Sequence, residues 1–386
     1  MDSMAMDHAG RLLRLQSILP ESQLDFLLIT HLPNVRYLSG FTGSAAALLV
    51  GEQGATLFTD GRYIAQAKQE VRNARIVIGS KAPVLAAAEW LEAQRRRMAS
   101  SMVGGPFKPS FGLSGETSSR TLGIDAESLT AGARDRLRAA LRGKVRLRSA
   151  PPLVERARMV KDPVEIRRIR EAVLLGASLL RVARRKIRPG VREFEVAAAM
   201  EYEARRKGAE GMSFPTILAA GPRSAIVHGR ASQARIPRRG FVVCDFGVIL
   251  AGYCSDRTRT LHVGQPSRDA CEFYAAVLEA QQTAIAAVRP GVTAGQVDEA
   301  ARSVLRKHKL ARWFTHSTGH GLGLEIHEGP RLAAAQPQKL EPGMVVTIEP
   351  GAYVPGKWGV RIEDVVVVTA SGCEVLTPAD KDLIVI

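Results

Sequence analysis

The sequence predicts an α+β chain of two domains, 1–150 and 151–386, the second built from two similar halves. Three observations predict this. Strand-like and helix-like segments alternate from residue 12 to 150, Pro151-Pro152 interrupts the chain, and one pattern of segments then occurs twice. A length of 386 residues accommodates two hydrophobic cores more readily than one.

In the first domain, Asp25–Ile29, Ala45–Val50 and Ala55–Thr59 are short apolar runs of strand length. Asp60-Gly61 supplies a turn before a helix that begins near Arg62. Alanine content and apolar spacing predict a helix over Ala82–Met98, and the Gly-, Pro- and Ser-rich stretch Gly104–Gly115 predicts a loop. The domain boundary is expected between Leu147 and Lys161.

A helix follows, because Asp162-Pro163-Val164-Glu165 places an N-cap acid, a first-turn proline and a glutamate at the third position. Ile166, Ile169, Val173 and Leu174 give it an apolar stripe at helical spacing. Arg188-Pro189-Gly190-Val191 recurs as Arg289-Pro290-Gly291-Val292, and Val196 recurs as Val297. Each copy lies between helix-like segments and leads through a glycine-rich, histidine-bearing stretch into β-rich sequence. Two αβ halves facing one cleft are therefore expected.

Composition excludes several classes. No run approaches the roughly 20 apolar residues that span a bilayer. Met1–Gly10 lacks the basic and apolar regions of a secretory signal, so cytoplasmic residence is expected. Cys244, Cys254, Cys271 and Cys373 lack paired spacing, which argues against a disulfide framework or a thiolate zinc site; Cys244 and Cys254 read as buried free thiols. The net charge of +16 raises the possibility of a polyanion partner. The arginine runs, such as Arg95–Arg97, Arg184-Arg185 and Arg205-Arg206, lie in helix-like segments without interleaved aromatics. They read as solvated faces, and a nucleic-acid partner is not expected.

The chemistry lies in the repeated half. Phe241–Asp245 is an apolar strand ending in a carboxylate, and Asp256 follows eleven residues later in GYCSDRTRT. Met344–Glu349 mirrors the first strand, and Glu363 in GVRIED mirrors Asp256. Carboxylates driven into an apolar β-core are costly and repel one another, and divalent cations resolve both problems. Between the pairs, Thr318-Gly319-His320-Gly321 offers an imidazole on a backbone that neighbours can approach closely. Four carboxylates and one imidazole predict a dinuclear site for hard or borderline divalent ions.

The ordered set Asp245, Asp256, His320, Glu349 and Glu363 resembles the metal-ligand pattern of the M24, or pita-bread, metallopeptidases. That family includes methionine aminopeptidase, aminopeptidase P and prolidase. The strings HSTGHGLGLEIHEGP and GVRIED are similar to the aminopeptidase P and prolidase branch, and NVRYLSGFTG and TDGRY resemble that branch's creatinase-like N-terminal domain. The resemblance implies a pita-bread catalytic domain with a pseudo-twofold repeat. It also implies a homodimer and two divalent metal ions, manganese by the oxygen-rich shell, with cobalt or zinc as substitutes. By carry-over, Asp245 binds one metal, Asp256 and Glu363 bridge, and His320 and Glu349 hold the second. Glu349 is also the proton shuttle. His228, His316 and His327 match histidines that bind the scissile carbonyl and stabilise the tetrahedral intermediate. Arg361 supports the carboxylates, and Arg331 is a weaker candidate to pair with a substrate carboxylate.

The implied reaction is hydrolysis of the bond between an N-terminal residue and a penultimate proline. That bond is a tertiary amide with no N–H for a backbone-gripping protease to hold. The expected activity is Xaa-Pro aminopeptidase, with prolidase as the alternative. A metal-free creatinase-like hydrolase and a non-catalytic binding module are further alternatives, although both would be expected to lack ligands that this chain keeps.

Overall fold

A computed structural model describes residues 6–101, 120–143, 145–377 and 380–386. The expected loop Gly104–Gly115 lies outside the described residues. The chain forms two compact units, one ending at Arg156 and the other running from Ala157 to Ile386.

The first unit is built on a six-stranded mixed sheet. Its strands are β1 (Phe26–Ile29), β2 (Ala46–Gly51), β3 (Gly54–Asp60), β4 (Arg75–Gly79), β5 (Thr121–Ile124) and β6 (Arg146–Ser149), in spatial order β4-β3-β2-β1-β5-β6. The three expected apolar runs are β1, β2 and β3, each within a residue or so of its expected ends. The helices are α1 (His8–Ile18), α2 (Leu32–Ser39), α3 (Ile64–Glu70), α4 (Pro83–Ser101) and α5 (Ala131–Ala140). The helix expected near Arg62 opens as a 3-10 turn, Gly61–Tyr63, because the Asp60 carboxylate accepts from the Arg62 N–H and holds the tight first turn. Ala87, Ala88 and Leu91 of α4 close a core with Leu28, Leu49, Phe58 and Leu122.

In the second unit, α6 (Leu153–Met159) contains the boundary, and α7 (Pro163–Lys186) begins with the expected capping box: Asp162 accepts from the Val164 and Glu165 N–H groups, and Glu165 accepts from the Asp162 N–H. Ile169 and Val173 are buried as expected, whereas Leu174 is 50% exposed. One residue is a 100° rotation, and the buried face runs instead through Ala172, Gly176, Leu179 and Ala183. α8 (Glu193–Arg206) completes the first helical pair.

Strands β7 (Gly211–Met212), β8 (Ile217–Ala220), β9 (Gly240–Asp245), β10 (Val248–Leu250), β11 (Tyr253–Cys254) and β12 (Thr258–Val263) follow. The second half repeats the plan. It has α9 (Arg268–Ala287) and α10 (Ala294–Lys307), then β13 (Gly319–Gly321), β14 (Glu328–Leu332), β15 (Val345–Ile348), β16 (Gly351–Val354), β17 (Trp358–Arg361), β18 (Asp364–Val368) and β19 (Cys373–Val375). The final strand, β20 (Ile384–Val385), pairs parallel with β12. Antiparallel β8-β9-β12 corresponds to antiparallel β13-β15-β18. The repeated Arg-Pro-Gly-Val turns are structural equivalents. Gly190 and Gly291 adopt φ of 85° and 83°, and their N–H groups donate to Ile236 O and Leu340 O. Each half buries its helices on its own sheet, around Leu179, Val196, Val242 and Leu261 in the first and Val277, Val297, Val346 and Val366 in the second.

Candidate metal centre

Equivalent strand ends deliver the acidic side chains. Asp245 ends β9 and Glu349 follows β15; Asp256 precedes β12 and Glu363 precedes β18. The pairs are displaced by 349 − 245 = 104 and 363 − 256 = 107 residues, close to the shift of the turns. The crossing point of the halves is fixed by backbone and threonine contacts. The Glu363 N–H donates to Thr258 O at 3.2 Å, and the Thr258 hydroxyl donates to Glu363 Oε2 at 2.8 Å.

One ligand atom each from Asp256, His320 and Glu363 lies within 4.8 Å of the others. His320 Nε2 is 3.6 Å from Asp256 Oδ2 and 3.3 Å from Glu349 Oε1. Its Nδ1 faces Gly321 O at 3.0 Å, which leaves Nε2 toward the carboxylates. The flanking glycines are sterically required, since a Cβ on Gly319 would sit 1.9 Å from Thr347 O and one on Gly321 2.0 Å from Gly329 O. Asp245 joins the cluster through Arg361, whose guanidinium donates to Asp245 Oδ2, to Tyr353 Oη at 2.8 Å, to Val227 O at 3.1 Å and, through Nε, to Thr258 Oγ1 at 3.0 Å.

The cluster is electrostatically incomplete without cations. Burial raises the Asp245 carboxyl, and burial together with the neighbouring acids raises Asp256 and Glu363 well above the ordinary carboxylate range. Burial pushes Glu349 the same way, but the His320 hydrogen bond and charge win and hold it at about 2. Asp245 Oδ1, Asp256 Oδ1 and Glu363 Oε1 are buried without a hydrogen-bond partner. Orphaned carboxylate oxygens converging beside an imidazole are the donor set that divalent cations satisfy, so the residues fit the metal.

The three other histidines take different stations. His316 is half-buried, with Nε2 2.9 Å from Tyr353 Oη and Nδ1 2.9 Å from Ser317 O, and burial lowers its basicity. His327 is exposed, yet its ring meets the edge of His320 at 4.3 Å between centroids. Its loop is pinned one residue on, where Glu328 accepts from Arg158 and from Lys161 Nζ at 2.7 Å. His228 is exposed, follows the carbonyl that Arg361 grips, and lies near enough to influence both His316 and His327. Arg331 is exposed on β14, opposite His320 in register. Cys244 and Cys254 are buried free thiols, and His262 is buried against Phe241.

Sequence reasoning missed Tyr353, which joins His316 to Arg361, and Thr258 and Thr347, which hold Glu363 and Glu349. Thr258 lies two residues beyond Asp256, on the same side of extended backbone, and was within reach of a period-2 reading. Tyr353 has no spacing signal, because its partner His316 is 37 residues away.

Two αβ halves meeting over orphaned carboxylates and a histidine define a metal-dependent enzyme of repeated architecture. The chain belongs to metallopeptidase family M24, matched over residues 167–370, and carries a creatinase/prolidase N-terminal domain matched over 11–160. It is 35% identical to a Xaa-Pro dipeptidase of Pyrococcus horikoshii over 94% of this chain and 95% of that one. A solved Xaa-Pro dipeptidase from Bacillus anthracis superposes with a TM-score of 0.89 at 36% identity, covering 98% of this chain and 100% of that one. An X-Pro aminopeptidase structure from Thermotoga maritima gives 0.82 at 33% identity, covering 97% and 99%. Among the described residues, no helix is long and apolar enough to cross a membrane.

Proposed function

We propose that this metallopeptidase hydrolyses the peptide bond preceding proline, with Xaa-Pro dipeptides as its principal substrates. The observation that carries the reading is the convergence of Asp245, Asp256, His320, Glu349 and Glu363 with three buried, unpartnered carboxylate oxygens. Those five side chains would hold two divalent cations, manganese by the oxygen-rich donor set, with cobalt or zinc able to substitute. Bound there, such cations supply carbonyl polarisation and water activation near neutral pH.

The remaining work falls to the chain's own groups. Glu349 holds a carboxylate oxygen against His320 Nε2 and is the group placed to carry a proton to the departing proline nitrogen. The exposed His228 and His327 are donors for the acyl oxygen as its charge grows. His316, whose Nδ1–H faces Ser317 O and whose Nε2 accepts from Tyr353, has no N–H left for that oxygen and instead orients the Tyr353 hydroxyl. Arg361 keeps Asp245 oriented through four hydrogen bonds around its guanidinium, three of them buried. The dipeptidase reading draws support from the Pyrococcus and Bacillus relatives. The Thermotoga structure supports the aminopeptidase reading as the second. A homodimer and a cytoplasmic location accompany the proposal as properties the family resemblance and the sequence suggest.

The test is an assay of manganese-loaded protein on Ala-Pro, Ala-Pro-Ala and Ala-Ala. Rapid hydrolysis of Ala-Pro, abolished by chelation, is expected. Preference for the tripeptide would select the aminopeptidase reading, and equal cleavage of Ala-Ala would overturn proline selectivity.

A further inference from the structure

We infer that Arg259 is a positioning residue for the metal centre, acting with Asp364 to set how Glu363 stands against Asp256. The inference rests on the metal-ligand assignment proposed above. Arg259 lies on β12, three residues beyond Asp256, and its side chain is 1% exposed. Its guanidinium donates to Thr258 O at 2.9 Å, to the main-chain carbonyl of Glu363, and to Asp364 Oδ1 at 2.8 Å. One side chain therefore joins the first-half strand that follows Asp256 to the backbone of the second-half ligand itself.

The Glu363 peptide groups are consequently held at both ends. Its N–H donates to Thr258 O, and its carbonyl accepts from Arg259. With both groups fixed, little backbone rotation is left to swing the carboxylate. The planar fork is essential to this arrangement, since an ammonium on a flexible stem is a point charge without two divergent donor edges. Asp364 is fully buried, and it keeps the guanidinium from standing as a lone cation beside a cation site. Its other oxygen is already committed, accepting from Gln281 Nε2 at 2.9 Å and Lys381 Nζ at 2.6 Å. The clamp thus reaches from α9 through Asp364 and Arg259 to the main-chain carbonyl of Glu363. A pair that served packing alone would have no need to end on the carbonyl of a ligand residue.

The experiment titrates chelator-stripped, full-length protein with Mn2+ by calorimetry, alongside thermal melts. Arg259→Lys keeps the charge and loses the fork, and Asp364→Asn keeps the shape and loses the charge. Both should need about 10- to 100-fold more Mn2+ for half-saturation, the range seen when groups that orient metal ligands are removed. Val277→Ala, a cavity variant in the α9 core, serves as the destabilised control and should bind Mn2+ as wild type does despite a lower Tm. Wild-type affinity in both clamp variants would overturn the inference, as would an equal loss of affinity in Val277→Ala. If Arg259→Lys does not fold, Asp364→Asn decides alone. A wild-type chain that binds Mn2+ but leaves Ala-Pro intact counts against the substrate reading and leaves the clamp standing.

Discussion

His320 Nε2 lies 3.3 Å from Glu349 Oε1, the contact that joins the imidazole to the one carboxylate of the cluster held at a low pKa. Glu349 enters from a strand end and is steadied by the Thr347 hydroxyl, so its oxygen is directed rather than free. Glu349→Gln preserves shape and removes both the negative charge and the proton-carrying capacity. Its kcat on Ala-Pro should fall by about 10²–10⁴-fold. Unchanged circular dichroism with a kcat within threefold of wild type would refute the assigned role.

Asp256→Asn should have opposite effects on binding and on the stability of the stripped protein. Mn2+ uptake should collapse, while the chelated protein should gain about 1–2 kcal/mol, because one of several mutually repelling buried carboxylates becomes neutral. For a chain of this size that is a rise of a few degrees in Tm. A chelated variant that melts below chelated wild type would show that the cluster is not electrostatically frustrated.

Removing Arg361 should be far more damaging than removing its neighbour. Arg361→Met leaves Asp245 buried without its counter-charge and should cost about 3–5 kcal/mol in urea denaturation. Tyr353→Phe deletes one hydroxyl shared by Arg361 and His316 and should cost about 1 kcal/mol. Equal losses would contradict the charge argument.

His316→Ala separates catalysis from metal binding. Metal content should stay at the wild-type level, because His316 contacts Tyr353 and Ser317 rather than the carboxylates. The expected kcat loss is about tenfold, because the Tyr353 hydroxyl loses one hydrogen bond worth about 1 kcal/mol that orients it. Elemental analysis showing lost metal would instead make His316 a contributor to ion binding.

A pH effect outside the centre is expected at His262. Burial lowers its pKa below 6.5, opposed by the hydrogen bond to Gly264 O. On acidification the unfolded chain takes up this proton first, so stability declines as pH falls below 6.5 and levels once the folded imidazole also charges. Replacing His262 with Leu should flatten that part of the stability curve. A difference between the two proteins that stays constant from pH 7.5 to 5 would rule the contribution out.

Much of the fold was legible because local signals agreed with tertiary demands. The Asp162 capping box, the apolar runs of β1, β2 and β9, and the doubled Arg-Pro-Gly-Val turn each carry their instruction within a few residues. The acidic residues could be read because a carboxylate ending an apolar strand is anomalous by composition alone. Leu174 was misread because the buried face of the helix extends from Val173 toward Ala172 rather than toward Leu174, and the spacing of Ile169 and Val173 does not say on which side the face widens. Tyr353, Arg259 and Asp364 were illegible for another reason: Tyr353 meets His316 across 37 residues and Arg259 meets Glu363 and Asp364 across 104 and 105, and nothing in the sequence announces which buried strand will meet which.

The division of the cluster between the two halves bears on biosynthesis. Asp245 and Asp256 leave the ribosome about a hundred residues before Glu349 and Glu363, so a nascent chain carries acids without the imidazole or the opposing strand ends. On the ligand assignment proposed above, peptide-bond cleavage cannot begin until translation has passed residue 363 and β18 has docked against β15. On the same assignment, a chain ending before residue 363 would be an inert fragment rather than an unregulated protease.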